Sequence, residues 1–265
     1  GEYVLDRPCL EAESDALSEY ALWSESNAQF VRSAADRGVW SPSHGLPASW
    51  NIEHRARWPS EDGAETSLRF ELKATDFGHV GLFPERPTEF GPLGIFPEQA
   101  ANWDWLATRL GTPGGMQPKV LNLFAYTGGS TLAAAAVGAE VVHVDSAQNT
   151  VNWARRNAEL SGLADASIRW IVEDCRKFVA REVNRGNRYN GVILDPPSYG
   201  HGPKSEVWKL SHHLELLLKD CAKFLRSVEQ PFILLTCHTE RVRLSDLRQH
   251  VETAVSHLPP GTIEA

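Results

Sequence analysis

Three acidic residues follow stretches of sequence that are typical of buried β-strands. Asp145 ends the largely apolar run that begins at Val141, Asp195 ends another such run and precedes two prolines, and Asp174 comes shortly after a third. The carboxyl ends of parallel strands meet along one edge of an open α/β sheet, and ligands bind in the crevice outside that edge. We therefore expect these carboxylates to share one site, where each can accept hydrogen bonds from a hydroxyl, an amino group or a ring N–H.

A turn of small residues follows the first strand of the same region. The strand that begins at Val120 breaks into the sequence Ala-Tyr-Thr-Gly-Gly, which ends at Gly129 and leads into a predicted helix. This turn lacks the Gly-x-Gly-x-x-Gly spacing of a dinucleotide site and the Gly-Lys-Ser/Thr of a phosphate loop. Its two glycines would let a ligand approach the backbone closely. The pattern therefore indicates a ligand other than a triphosphate.

Strand and helix patterns alternate after residue 117. Predicted strands cover 119–124, 140–145, 168–172, 191–195 and 231–236, and predicted helices cover 129–137, 147–160, 175–184, 205–226 and 244–256. Such alternation predicts a doubly wound, mostly parallel α/β sheet. Residues 1–98 are instead irregular and β-rich, with a hairpin predicted from 49–58 and 67–74. We expect an N-terminal region at 1–98 that contacts substrate or covers the sheet, and a ligand-binding domain at 99–265.

Composition limits the classes of function. The 265 residues carry a net charge of −8, so an overall basic field for nucleic acid is absent. The four widely spaced cysteines form neither a zinc motif nor a disulfide framework, and no stretch approaches the ~18 consecutive apolar residues of a membrane span. We expect no metal, no membrane and a reducing compartment, the cytoplasm or an organelle matrix, and the oligomeric state stays open. A locally basic stretch at 176–188 is either a solvated helix face or a phosphate-contacting patch.

Taken together, these motifs resemble the class I S-adenosylmethionine-dependent methyltransferases. The resemblance covers residues 90–240 and is closest to the branch of bacterial large-subunit rRNA methyltransferases that act on cytosine C5 and guanine N7. The segments that carry it stand in the family's order: 120–129, Asp145-Ser146 with Ala154-Arg-Arg-Asn157, Glu173-Asp174-Cys175 and Asp195-Pro-Pro-Ser. The resemblance implies a Rossmann-like methyltransferase fold, S-adenosyl-L-methionine as cofactor and a base in structured RNA as substrate.

The resemblance also implies which residues bind the cofactor. Asp145 would accept the ribose hydroxyls and Asp174 the adenine amino group, although Asp174 could instead cap the next helix. Gln99 ends a Phe-Pro-Glu-Gln segment that is similar to the family's entry to the domain. The expected cofactor contacts are Gln99, Phe124, Tyr126, Thr127, Gly128, Gly129, Asp145, Ser146, Asp174 and Cys175.

The segment after the fourth strand is similar to the Asp/Asn-Pro-Pro-aromatic motif of methyltransferases that act on planar nitrogen. Because the prolines stiffen the turn, Asp195 and the Pro196 carbonyl can accept hydrogens from a base, and Tyr199 can stack on it. Such a base must be single-stranded or flipped out of its helix. The alternative is a rigid turn with Tyr199 in the core. The loop that follows, 200–208, is either a substrate lid or an ordinary connection.

Cys237 is the expected nucleophile if the acceptor is cytosine C5. In RNA cytosine-C5 methyltransferases a cysteine near this point attacks C6 of the base, which requires a low pKa and partial exposure. His238 could lower that pKa or act as a base. The alternative for Cys237 is a small hydrophobic residue packed after a buried strand.

Four functional hypotheses remain at this point. The first is methylation of an RNA base, at cytosine C5 before a guanine nitrogen. The others are a small-molecule or protein methyltransferase, a nicotinamide-dependent oxidoreductase, and a cofactor-binding module without catalysis. The sheet of the resembled fold closes with an antiparallel hairpin, for which the nine residues after the predicted helix at 244–256 are too few. We therefore expect that hairpin to be missing.

Overall fold

The structure is a computed structural model that describes residues 5–6, 26–34, 37–41, 47–59, 64–73, 99–111, 117–225, 228–239 and 242–264. The chain separates into two units, one made of residues 1–53 with 69–96 and the other of residues 54–68 with 97–265. The boundary expected at residue 98 stays a prediction.

Short strands make up the N-terminal part. β1 (Leu5–Asp6), β2 (Ala28–Ala34) and β3 (Arg37–Ser41) form one sheet, in which β2 pairs parallel with β1 and antiparallel with β3. β4 (Trp50–Ala56) and β5 (Thr66–Leu72) pair as a second sheet at the positions of the predicted hairpin. Leu68, Phe70 and Leu72 are buried, which is the period of two expected for a strand with one buried face.

The C-terminal part alternates strands and helices, which confirms the predicted Rossmann-like α/β architecture. Its elements, in chain order, are α1 (Ala100–Leu110), β6 (Lys119–Leu123), α2 (Gly129–Ala136), β7 (Glu140–Asp145), α3 (Gln148–Leu160), β8 (Ile168–Val172), α4 (Cys175–Asn184), β9 (Gly191–Leu194), β10 (Tyr199–His201), β11 (Val207–Lys209), α5 (Leu210–Ala222), β12 (Phe232–Leu235) and α6 (Leu244–Val255). A single 3-10 turn extends α5.

Five of these strands form one parallel sheet in the order β12-β9-β6-β7-β8. From β6 at the centre the chain proceeds to β7 and β8 on one side, and then crosses to β9 on the other side. This reversal leaves a crevice outside the carboxyl ends of β6 and β9, where ligands bind in such sheets. Asp145 ends β7, and Asp195 and Thr236 come directly after β9 and β12, so all three residues lie at that edge.

Alternate residues of the central strands face two apolar cores. Leu121, Val142 and Val192 belong to a core that residues of α4, α5 and α6 complete. Val120 and Val141 belong to a second core with residues of α1 and α2. Because both faces of the sheet are covered, its strands appear in the sequence as nearly continuous apolar runs.

The predicted helix at 205–226 is wrong in its first part. β10 and β11 pair antiparallel with Tyr199 opposite Lys209, and α5 begins only at Leu210. The reason is Trp208, whose side chain is buried and whose indole Nε1 donates to the Pro197 carbonyl at 2.6 Å. The expected loop at 200–208 is therefore a short hairpin that its own tryptophan anchors.

Three further observations concern the described residues only. Within 242–264 the one regular element is α6, so a closing antiparallel hairpin is not found there. No described helix has the length and apolar character needed to cross a bilayer. No group of three or more histidine, cysteine, aspartate or glutamate side chains in the described part of the chain is arranged for a metal ion.

A chain of three polar side chains is buried between the sheet and α2. Asn122 Nδ2 donates to Thr131 Oγ1 at 2.9 Å, and Thr131 Oγ1 lies 2.9 Å from His143 Nδ1. Burial lowers the pKa of His143 to about 3, and the positive charge of Arg155 acts in the same direction. His143 is therefore neutral at pH 7 and remains so in mild acid.

This buried imidazole should make the protein sensitive to acid. Between about pH 6.5 and pH 3 the unfolded chain binds a proton at His143 that the folded chain does not bind, so stability falls by on the order of 1 kcal/mol for each unit of acidification. The stability is present above pH ~6.5 and is lost as the pH falls toward the folded pKa. In His143→Asn, whose Oδ1 can still accept from Thr131, the slope should be smaller by that amount. Urea unfolding at several pH values measures the slope, and equal slopes in the two proteins would refute the assignment.

Candidate active site

The turn after β6 has unusual backbone angles. Phe124 and Tyr126 have φ of 55° and 49°, in the left-handed region that residues other than glycine rarely adopt, and Gly128 has φ of 92°. The Tyr126 amide donates to Asp145 Oδ2 at 2.9 Å, so the acid at the end of β7 holds the turn in this conformation. Strained backbone of this kind is concentrated at ligand sites.

Asp145 has hydrogen-bonding capacity beyond the turn. Its Oδ2 accepts from Tyr126, and its Oδ1 accepts from the Ala147 amide at 3.0 Å. Burial raises the pKa of Asp145, and the backbone donors oppose that rise. A carboxylate offers about four lone-pair directions, and the backbone amides of Tyr126, Ala147 and Ser146 take up three of them. The half-buried side chain can therefore accept a further donor, such as a ribose hydroxyl.

Protein atoms closely approach the two glycines of the turn. A Cβ on Gly129 would lie 2.6 Å from the Trp103 ring, and a Cβ on Gly128 would lie 3.2 Å from that of an α3 alanine. α1 and α3 thus pack against the turn at a distance that a larger residue would prevent. The buried Asn157 on α3 also donates to the Thr127 carbonyl at 3.0 Å. Asn157 stands in the matched helix motif of the sequence, yet its role in holding the turn becomes evident only in the fold.

Asp174 and Cys175 lie beside the same turn. The Cys175 thiol is buried and hydrogen-bonded to the Phe124 backbone, and burial raises its pKa well above the ordinary range. Asp174 Oδ1 accepts from the Lys177 amide at 3.1 Å, which confirms the helix-cap interpretation, and Oδ2 accepts from Arg176 at 3.2 Å. Asp174 keeps lone pairs that can accept from an adenine amino group, and this contact with adenine stays a proposal. The expected cofactor residues from Phe124 to Cys175 thus all lie near the carboxyl ends of β6, β7 and β8.

A second group of polar side chains surrounds Asp195 at the end of β9. Thr236 Oγ1 donates to Asp195 Oδ1 at 2.6 Å, and His238 Nε2 lies 3.7 Å from the same oxygen. Gln99 Nε2 lies 3.4 Å from Asp195 Oδ2 and 3.1 Å from His238 Nε2. Asn102 Nδ2 donates to Gln99 Oε1 at 2.6 Å. These five residues, which we call the Asp195 cluster, are Gln99, Asn102, Asp195, Thr236 and His238.

The Asp195 cluster is partly buried but accessible. The side chain of Asp195 is 29% exposed and that of His238 is 40% exposed. Burial raises the pKa of Asp195, while the nearby His238 and the hydrogen bond from Thr236 oppose the rise. Gln99 is expected from the sequence as a cofactor contact, whereas its amide here contacts Asp195 and His238; residues 96–98, on which that expectation depends, lie outside the described residues.

The hairpin of β10 and β11 connects the Asp195 turn to the strained turn after β6. The Trp208 ring, which is bonded to the Pro197 carbonyl, has its centroid 4.8 Å from that of Phe124. Tyr199 is half-buried, with its hydroxyl 3.3 Å from a neighbouring histidine nitrogen and Lys209 Nζ 5.9 Å from its ring centroid. Tyr199 is therefore not enclosed in the core, and its stacking on a base stays a proposal.

Cys237 has apolar surroundings. It is half-buried against the core that α5 and α6 help to form. Thr236 and His238, the residues on either side, both contact Asp195. The packing favours the interpretation of Cys237 as a small hydrophobic residue.

Acidic side chains pair with most cations of the basic stretch at 176–188. The ion pairs are Arg176 with Asp174, Lys177 with Glu206, Arg181 with Glu173 and Arg185 with Glu182. Cations that are already paired contribute less to binding of a phosphate backbone. This arrangement favours the solvated helix face over a phosphate-contacting patch.

Comparisons with known proteins identify one family. Residues 104–240, just over half of the chain, match the family described as S-adenosylmethionine-dependent methyltransferase. The chain is also similar to the crystal structure of a SAM-dependent methyltransferase from Agrobacterium tumefaciens, with a TM-score of 0.80 and 34% identity. That match covers 96% of this chain and 73% of the other.

Curated relatives share shorter segments with the chain. Ribosomal RNA large subunit methyltransferase I of Aeromonas hydrophila is 40% identical over 82 residues, which are 31% of this chain and 21% of that protein. Ribosomal RNA large subunit methyltransferase K/L of Magnetococcus marinus is 33% identical over 140 residues, which are 52% of this chain and 16% of that protein. The chain thus spans only a minor part of these relatives, and their action on ribosomal RNA is a property of those whole proteins.

Proposed function

Because the chain belongs to the S-adenosylmethionine-dependent methyltransferase family, we propose that it methylates an amino nitrogen of a base in structured RNA. The observation that carries this proposal is the Asp195 cluster. It presents carboxylate, amide and imidazole groups at the carboxyl edge of the sheet, and such groups can bind the hydrogen-bonding edge of a flipped base. The nicotinamide-dependent hypothesis is wrong, since the family uses a different cofactor.

S-adenosyl-L-methionine supplies a methyl group that is bonded to a positively charged sulfur. We assign its ribose to Asp145, which can accept a further donor, and its adenine to Asp174 and Cys175. The turn at 124–129 and Ser146 would contact the rest of the cofactor. The main task of the Asp195 cluster is then to hold the acceptor in line with the methyl group.

The substrate class is supported by the relatives and by one aromatic ring. The curated relatives are named as methyltransferases of large-subunit ribosomal RNA. Tyr199 lies half-buried four residues after Asp195, where a base drawn out of its helix could stack on it. Because the net charge is −8, we propose that the site contacts RNA mainly through the target base. A ribosomal RNA substrate would place the chain in the cytoplasm or an organelle matrix.

The packing of Cys237 supports a nitrogen acceptor over cytosine C5, which reverses the order expected from the sequence. A cytosine-C5 mechanism needs a thiolate that can reach C6 of the base. Cys237 instead packs against the apolar core, while its neighbours Thr236 and His238 contact Asp195. Hydrogen-bond acceptors around an amino group orient its lone pair toward the methyl group, which requires no covalent intermediate.

Transfer of tritiated methyl groups to RNA tests the proposed function. Unmodified transcripts of large-subunit rRNA should take up label, and nucleoside mass spectrometry should find a base methylated on an amino nitrogen. Transfer to protein or to small molecules in the absence of RNA would instead support the rival methyltransferase hypothesis. Cofactor binding without transfer to any of these would support a module that lacks catalysis.

Cys237→Ala separates the two acceptor chemistries. We expect the variant to transfer methyl groups to the rRNA transcript within about tenfold of the wild-type rate, because removal of a catalytic nucleophile costs far more, on the order of 10⁵-fold or beyond. A matched Cys221→Ala variant, altered at a cysteine buried in the same core, controls for packing. If Cys237→Ala lost activity by about 10⁵-fold or beyond, and if the wild-type protein formed a covalent adduct with RNA that contains 5-fluorocytidine, cytosine C5 would again be the proposed acceptor.

A further inference from the structure

His238 is a partly exposed imidazole in the Asp195 cluster. Its Nε2 lies 3.1 Å from Gln99 Nε2 and 3.7 Å from Asp195 Oδ1. The ring follows β12, so the parallel pairing of β12 with β9 brings it beside the carboxylate at the end of β9. Its side chain is 40% exposed, which leaves part of the ring open to a substrate or to water.

Asn102 determines which group Gln99 presents to His238. The Asn102 amide donates to Gln99 Oε1 at 2.6 Å, so the oxygen of Gln99 is directed toward α1. The nitrogen of Gln99 then lies between Asp195 Oδ2 and His238 Nε2. An amide NH₂ group donates hydrogen bonds and cannot accept them. With the Gln99 amide as the donor, His238 Nε2 is the acceptor, and this arrangement corresponds to the neutral tautomer with its hydrogen on Nδ1.

We propose that His238 is the catalytic residue that takes the proton released by the methyl acceptor, that Asp195 stabilises the resulting imidazolium, and that Gln99 is a positioning residue. This inference rests on the proposed function, because it concerns the same site and an acceptor that carries a hydrogen. The lone pair on Nε2 is directed into the Asp195 cluster, where the acceptor is placed. Asp195, directly after β9, and the uncharged Gln99, directly before α1, both contact the ring.

The proposed step balances in atoms and charge. The lone pair of the acceptor nitrogen forms a bond to the methyl carbon while the bond from carbon to sulfur breaks, and the electron pair of that bond stays on sulfur. The acceptor N–H then gives its proton to His238 Nε2, which exchanges the Gln99 hydrogen bond for a covalent hydrogen. The imidazolium passes this proton to water through the exposed part of the ring. Nothing is oxidised or reduced.

The assignment restricts the acceptor atom. A base is required only where the acceptor carries a hydrogen that must leave, as an exocyclic amino group does. A guanine N7 acceptor carries no hydrogen and would leave His238 without a proton to take. Methylation mapped to N7 would therefore contradict the inference while it left the proposal of an RNA methyltransferase intact.

Imidazole NMR of the full chain tests the geometry without any substrate. Long-range ¹H–¹⁵N spectra distinguish the two neutral tautomers of a histidine. We expect the Nδ1–H form for His238 in the wild type, and a mixture of both forms in Gln99→Leu, which cannot donate to Nε2. A predominant Nε2–H form in the wild type would overturn the inference, whether or not the protein methylates RNA.

Single-turnover transfer to the rRNA transcript tests the chemistry. A general base acts only in its neutral form, so the wild-type rate should be lower in acid and become constant at higher pH. His238→Gln should lose about 100-fold in rate, within the range measured for general bases, and should lose the acid limb of the profile. Binding of S-adenosylhomocysteine should be unchanged in this variant. His257→Gln, changed at an exposed histidine beyond α6, serves as the matched control.

The outcomes of the two experiments are separable. An acid limb that persists in His238→Gln would show that another group takes the proton, and the inference would fail. A wild-type protein that methylates no RNA would remove the proposed function, and with it the proton-transfer step. The NMR result would then still show whether His238 has its hydrogen on Nδ1, as its contact with Gln99 predicts.

Discussion

Replacing Asp145 with alanine should weaken the binding of S-adenosylhomocysteine by at least about 100-fold, or about 2.7 kcal/mol. The variant loses a carboxylate that we assign to the ribose, and each hydrogen bond to a charged group contributes about 1.5–3 kcal/mol. It also loses the acceptor of the Tyr126 amide, so the strained turn is no longer held in its conformation. Isothermal titration calorimetry measures the affinity.

The fold should survive this change. Burial raises the pKa of Asp145, so the carboxylate itself is costly to bury and its removal partly offsets the lost backbone hydrogen bonds. Thermal unfolding of the variant checks this point. Asp165→Ala removes the same charge from an exposed position and should leave affinity unchanged. Undiminished affinity in a folded Asp145→Ala protein would show that the ribose lies elsewhere.

Asp195→Ala should reduce the methyl-transfer rate by at least about 100-fold, a loss of roughly 2.7 kcal/mol of transition-state stabilisation. The affinity for S-adenosylhomocysteine should change by less than about threefold, or ~0.7 kcal/mol. The reason for this separation is that the described contacts of Asp195 are with Gln99, Thr236 and His238, whereas Asp145 holds the turn after β6. Single-turnover assays and calorimetry measure the two quantities.

An Asn variant refines the second prediction. Asp195→Asn keeps an oxygen that can accept from Thr236 but has no negative charge to stabilise an imidazolium, so it should fall between the wild type and Asp195→Ala in rate. Asp220→Ala, changed on the exposed face of α5, is the matched control for charge. If cofactor affinity and rate declined together in Asp195→Ala, the acid would belong to the cofactor site instead.

Local patterns were sufficient to predict most of the parallel sheet. The strands at 140–145 and 168–172 and the helix at 175–184 have the predicted bounds, because continuous apolar runs and a capping aspartate are local signals. The sequence did not predict the hairpin of β10 and β11, because the contacts that hold it are tertiary contacts of one side chain. Trp208 bonds to the Pro197 carbonyl and packs on Phe124, and neither contact has a signature in the sequence around it.

The candidate site likewise has a part that the sequence predicts and a part that it does not. The positions of Asp145 and Asp195 at strand ends follow from topology alone, since parallel strands share one carboxyl edge. The grouping of Gln99 with His238 depends on α1 and β12 meeting at β9, across a separation of 139 residues. Thr236, Cys237 and His238 follow β12, and the sequence around them does not indicate that the outer two contact Asp195 while the cysteine packs against the core.

The most direct test of the central claim is a titration of S-adenosylhomocysteine into the ¹⁵N-labelled chain, followed by amide NMR. We expect the largest shifts at 124–129, 145–146 and 174–175, where the cofactor residues meet, and smaller shifts at 195–199, where the acceptor would lie. Shifts confined to other parts of the chain, with none at Tyr126 or Ser146, would contradict the assignment of this sheet edge as the methyl-transfer site.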